Sequence, residues 1–134
     1  MVIDTSALLA VLQDEAERRA FNEAVEAADT VAMSVASLVE TSIVIEARHG
    51  AEGLRALDRF VERAGIVIAG VDLEQGKVAR DAFSRFGKGR HPAGLNFGDC
   101  FAYALAKVLG EPLLFKGQDF AQTDVARVEV PPHP

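Results

Sequence analysis

Met1-Val2-Ile3-Asp4-Thr5-Ser6-Ala7-Leu8 opens the chain. A short apolar run, with two β-branched residues, leads directly into three side chains able to accept hydrogen bonds from the first amides of a helix. The segment therefore reads as a strand feeding a helix, with Ala7, Leu8, Val11 and Leu12 continuing at helical spacing. A charged stretch from Asp14 to Arg19 leads into a second helix through about Ala28. The same strand-then-helix pattern then recurs. Val31-Ala32-Met33 reads as a strand, followed by a helix capped by Ser34, or by Ser37 in a capping box with Glu40, that runs to His49-Gly50. Leu54, Leu57, Phe60 and Val61 mark a helix with one buried face between Ala51 and Arg63. Ile66 to Val71 reads as a fully buried strand, and Asp72 opens a helix carrying Val78, Ala79, Ala82, Phe83 and Phe86.

Gly87-Lys88-Gly89-Arg90-His91-Pro92-Ala93-Gly94 interrupts this rhythm as a flexible, glycine-rich basic loop. Asn96 then caps a helix from Phe97 to Leu109 closed by Gly110. Pro112 to Phe115 is a strand, Lys116 to Phe120 a turn, and Arg127 to Val130 a last short strand before a Pro-Pro-His-Pro tail. Strands alternating with helices predict a three-layer α/β/α sandwich with a mostly parallel sheet, as one domain over residues 1–134.

Composition narrows the class. The chain has 134 residues, 49% hydrophobic and 25% charged, which is ordinary globular usage. No run approaches the roughly 18 to 20 apolar residues a membrane span needs, and the start lacks a basic-then-apolar leader. One cysteine, Cys100, excludes an intrachain disulfide and is too few for a cysteine zinc site. A cytoplasmic protein is the expectation. The net charge of -6 argues against a generic nucleic-acid coat, so contact with a phosphate backbone would need a local basic patch or bound cations.

The acids make cations the more informative option. In open parallel sheets the functional crevice lies beyond the carboxyl ends of the strands. Asp4 follows the first strand, Asp119 follows the strand at Pro112 to Phe115, Asp99 lies in the first turn of a helix, and Glu40 lies near the start of another. Glu40 is flanked by Leu38, Val39 and Ile43, where a merely solvated carboxylate is less expected. Gathered carboxylates raise one another's pKa unless a cation neutralises them. An all-oxygen set favours Mg²⁺ or Mn²⁺ over zinc, and the chemistry such ions support is phosphodiester hydrolysis. Taken one at a time, each acid also has a plainer reading, as a helix cap or as turn chemistry.

Val2 to Leu8, Ser34 to Glu40, Phe86 to Ala106, Pro112 to Phe120 and Thr123-Asp124 together resemble the PIN-domain family and, within it, the VapC toxins of VapBC toxin–antitoxin pairs. The most specific blocks are Asn96-Phe97-Gly98-Asp99-Cys100 and Leu114-Phe115-Lys116-Gly117-Gln118-Asp119-Phe120. The resemblance implies a Mg²⁺- or Mn²⁺-dependent ribonuclease that arrests translation by cutting transfer or ribosomal RNA. It also implies restraint by a cognate VapB antitoxin. Asp4, Glu40 and Asp99 match the metal-site acids, with Asp4 and Asp99 the most direct ligands. Ser6 matches a hydroxyl that orients the metal's water shell. Many PIN domains carry an acid where this chain has Gly117, so Asp119 is expected to serve directly or through water.

Lys88, Arg90, His91 and Lys116 are then the candidates to grip the RNA backbone. A homodimer is expected, with Phe21, Val25, Val35 and Leu38 as partner contacts. Other classes fit less well. A metal- or RNA-binding module without turnover would be consistent with the Gly117 and Asp119 arrangement. A phospho-receiver needs adjacent acids after the first strand, and a haloacid-dehalogenase-type phosphatase needs Asp-x-Asp, but Thr5-Ser6 follows Asp4. Glycine-rich nucleotide-binding signatures do not occur.

Overall fold

The computed structural model describes residues 1–131; Pro132, His133 and Pro134 of the expected tail lie outside the described residues. β1 (Val2–Ile3) passes into α1 (Thr5–Leu12) through the single residue Asp4, which caps the helix. The order continues with α2 (Arg18–Ala27), β2 (Ala32–Ser34), α3 (Val35–Arg63), β3 (Val67–Ala69), α4 (Leu73–Phe86), α5 (Phe97–Leu109) and β4 (Leu113–Leu114). A 3-10 turn at Phe120–Gln122 follows.

All the strands pair in parallel, in the order β3-β2-β1-β4, with Val2 opposite Ala32 on one side and Leu113 on the other. Because successive strand residues face opposite ways, each strand feeds two cores. Val2, Ala32 and Leu113 join the cluster with α4 and α5, whereas Ile3, Met33 and Leu114 join the cluster with α1, α2 and Leu57 of α3. The expected three layers follow from this pleat.

Of the two caps open for α3, Ser34 is the one used, its hydroxyl accepting from the Ala36 amide at 3.2 Å. Two local expectations are corrected. The strand expected to be fully buried around Ile66 is an edge strand, with Val67 61% exposed, because no strand among the described residues pairs beyond it. The last strand shrinks to one bridge between Arg127 and Leu113. Gly50 stands inside α3 at φ 63° and ψ -157°, so the helix is broken where His49-Gly50 was expected to end it.

The C-terminal segment is held by polar contacts. Asp124 accepts from the buried Tyr103 hydroxyl and pairs with Arg85 at 3.3 Å and Lys107 at 3.4 Å. Burial pushes Asp124 up, but these donors outweigh it and hold its carboxyl below the ordinary range. Among the described residues, no helix is long and apolar enough to cross a membrane.

Candidate active site

Parallel strands all end at one edge of the sheet, so the residues that follow them gather there. Asp4 leaves the end of β1 and is only 3% exposed. Its Oδ2 accepts from the Ser6 amide at 2.9 Å and the Ser6 hydroxyl at 2.6 Å. That hydroxyl in turn accepts from the Lys116 amide at 3.0 Å, tying the first acid to the segment beyond β4. Burial pushes the Asp4 carboxyl up, the Ser6 bonds oppose this, and the charge of Glu40 adds to the rise.

Asp99 sits in the first turn of α5. Asn96 Oδ1 accepts from the Asp99 amide at 2.9 Å, and Asp99 Oδ2 accepts from the Asn96 amide at 3.0 Å, completing a capping box. Desolvation lifts the Asp99 carboxyl to about 7, with the Asn96 amide opposing and the charges of Asp4, Glu40 and Asp119 each pushing it higher. Four acids from separate stretches of chain are therefore electrostatic neighbours. Asp99 thus caps its helix and also lies within reach of the other acids' charges.

Glu40 projects from the second turn of α3 toward α5, where its carboxylate rests against the α-carbon of Gly98. Neither Gly98 nor the hydroxyls beneath the acids emerged from the sequence. Thr41 Oγ1 donates to Ser37 O at 2.8 Å, and Thr5 Oγ1 donates to the same carbonyl at 3.1 Å, with the two threonine hydroxyls 3.2 Å apart. These buried contacts join the helix after Asp4 to the helix of Glu40. The signal available was a hydroxyl next to each acid in sequence, which only a known α1–α3 contact turns into a pair.

Asp119 is exposed, just ahead of the 3-10 turn, and Gly117 holds φ 101° before it. Among the described residues, no three His, Cys, Asp or Glu side chains stand close enough to form a finished metal cage. The donor chemistry nonetheless fits Mg²⁺ or Mn²⁺: the groups that face one another are carboxylates, and the nearby Cys100 thiol is pushed up to about 11 by burial and Asp99. Soft or nitrogen ligands play no part in this set.

The basic candidates divide. Lys88 and Arg90 are exposed, the Arg90 guanidinium lying 5.8 Å above the Phe83 ring. His91 is used by its own loop, Nδ1 accepting from the Ala93 amide at 3.0 Å and the ring standing edge-on to Phe86. The loop is closed at its base by backbone hydrogen bonds, the Lys88 amide donating to Leu95 and the Leu95 amide to Phe86. Lys116 pairs with Glu15 and, at 3.4 Å, with Glu17. Phe21 and Val25 are buried in the core, so they are not partner contacts, whereas Val35, Val39, Ile43 and Phe97 are exposed.

Acids gathered beyond the ends of a parallel sheet, on a strand-to-helix cap and a helical capping box, accompany a match to the PIN domain over residues 1–126. The chain belongs to the PIN-domain family. Within that family it is a VapC-type toxin, a ribonuclease by kinship: it is 56% identical over 128 residues to "Ribonuclease VapC" of Mycolicibacterium smegmatis, covering 96% of this chain and 99% of that one. The fold is similar to VapC20 of Mycobacterium tuberculosis, described as a sarcin-ricin loop cleaving toxin, at TM-score 0.79 and 17% identity over 97% and 98% of the chains. It is also similar to VapBC2 of Rickettsia felis bound to a promoter DNA fragment, at TM-score 0.72 and 13% identity over 96% of each chain.

Proposed function

We propose that Asp4, Glu40, Asp99 and Asp119 form the metal-dependent catalytic centre of an endoribonuclease that cuts RNA phosphodiester bonds and thereby inhibits translation. The observation that carries this reading is the convergence on Asp99 of charge from Asp4, Glu40 and Asp119, acids supplied by separate segments, which is costly unless a cation is held there. Asp4 and Asp99 would hold Mg²⁺ or Mn²⁺, with Asp119 completing the ring. The bound ion supplies charge neutralisation, a more acidic water and an anchor for phosphate oxygen.

The chain's own residues do the rest. Ser6 fixes the rotamer of Asp4, and through the Lys116 amide it sets the distance from the first acid to the loop that bears Asp119. Glu40 steers the attacking water. Lys88 and Arg90, unpaired in the ion-pair network of the described residues, draw the RNA backbone toward an otherwise acidic protein. His91 and Lys116 complete that grip in a secondary role, since each is engaged by protein groups. Transfer or ribosomal RNA is the proposed substrate, and the cytoplasm the proposed location, with residues 1–134 working as one domain.

A VapB-like antitoxin is the proposed partner, with basic side chains suited to the acid cluster. A homodimer is proposed through the face formed by Val35, Val39 and Ile43 of α3 and Phe97 of α5, which are apolar and exposed. The deciding experiment is cleavage of total RNA with Mg²⁺, comparing the protein with Asp4→Asn and Asp99→Asn. Loss of at least about 100-fold in rate, with unchanged melting, is expected of both variants. Cleavage by the variants at the original rate refutes the catalytic assignment, and a protein that binds Mn²⁺ without cutting any RNA is a binding module instead.

A further inference from the structure

The seat of Glu40 is made by a missing side chain. A Cβ built on Gly98 would stand 2.3 Å from Glu40 Oε2, 2.7 Å from Cδ and 2.8 Å from Oε1. Comfortable contact needs about 3.5 Å. All three nearest atoms belong to the same carboxylate, so the group lies across the bare α-carbon rather than brushing it with one oxygen.

The backbone gives no reason for glycine at this position. Gly98 is not among the positive-φ glycines, and it sits within a helix, where alanine is favoured over glycine. The turn cannot yield either, because the Asn96–Asp99 capping box closes around it with two hydrogen bonds. Glu40 is the only one of these parts free to move, being the end of a flexible side chain. Displacing it separates it from Asp99, the residue after Gly98, and from Asp4, on whose carboxyl Glu40 acts.

We propose that Gly98 is a positioning residue whose bare α-carbon holds the Glu40 carboxylate within the acid cluster. Any side chain at this position expels Glu40 while leaving the helix intact. The inference rests on reading that cluster as the active site.

The test uses four full-length proteins: the unaltered chain, Glu40→Gln, Gly98→Ala, and Gly98→Ala combined with Glu40→Asp. Mn²⁺ affinity by calorimetry, RNA cleavage and melting temperature are measured on each. Gly98→Ala should melt at or above the unaltered chain, bind Mn²⁺ at least about tenfold more weakly, and cut as poorly as Glu40→Gln. The combined variant should recover part of the Mn²⁺ affinity, because a carboxylate one methylene shorter clears the new methyl. Unchanged Mn²⁺ affinity in Gly98→Ala overturns the proposal, as does an affinity loss matched by a fall in melting temperature, or a combined variant with no recovery. If the unaltered chain neither binds Mn²⁺ nor cuts RNA, it is the active-site reading that fails, and the positioning role goes with it.

Discussion

Asp99 serves the helix and the acid cluster at once, and the two duties pull its proton in opposite directions. The Asn96 amide favours the carboxylate, while burial and three neighbouring acids favour the neutral form and prevail, leaving the group at about 7. On the proposed reading Asp99 holds the ion as a carboxylate and must shed that proton, so RNA cleavage at subsaturating Mn²⁺ should climb as pH rises through about 7 and level off above it. Stability of the metal-free protein should run the other way. The folded form keeps a proton that the unfolded chain releases near 3.8, so unfolding free energy falls as pH rises from about 4 to about 7 and is flat beyond. Asp4 is shifted in the same direction and adds to that fall. Urea melts at the two ends of this window should differ for the unaltered chain and converge for Asp99→Asn, with residual slope from Asp4.

Among the helices, α3 shows how one residue sets the path of a long element. Gly50 adopts a left-handed φ of 63°, a conformation a side chain resists, and a Cβ at Gly53 would fall 2.7 Å from both His49 Cβ and Ile45 Cγ2. The second half of α3 thus folds back closely on the first, carrying Leu57 into the core beside α1. Gly50→Ala should cost about 1 kcal/mol or more of stability, read by denaturant melts. Cleavage per folded molecule should stay unchanged, because Glu40 precedes the break by almost three turns. The His49-Gly50 pair foretold this break, and the i, i+3 spacing of Leu54, Leu57 and Phe60 foretold the buried face behind it. Burial of β3 was not legible, since an apolar run reads the same at a sheet's edge as at its centre.

Taken together, the charges leave a protein of net -6 that must still meet a polyanion. If Lys88 and Arg90 each neutralise one phosphate, replacing either with alanine should reduce the slope of log affinity against log salt by about 0.7 for single-stranded RNA. Lys116→Ala should change it less, because Glu15 and Glu17 already neutralise that ammonium. Binding titrations across a salt series, with Asp4→Asn to prevent cutting, separate the three. Assembly is tested on the same scale: light scattering should give a dimer for the unaltered chain and a monomer for Ile43→Glu. An Ile43→Glu protein that remains dimeric removes the α3–α5 face as the interface.

Alternating short apolar runs and capped helical stretches were enough to establish a parallel three-layer sandwich. Asp4 stood out because it follows a strand, Asp99 because it opens a helix, and Glu40 because it lies among apolar residues near a helix start. That information is local, carried by caps, periodicity and chain order. The rest is relational. Which serine caps α3, how far Lys116 is spent on Glu15, why Phe21 and Val25 are unavailable to a partner, and how Gly98 makes room for Glu40 all depend on distances between segments far apart in the chain. Spacing along a sequence carries no record of those distances, because they are fixed only when the two cores pack against the sheet and bring the helices into contact.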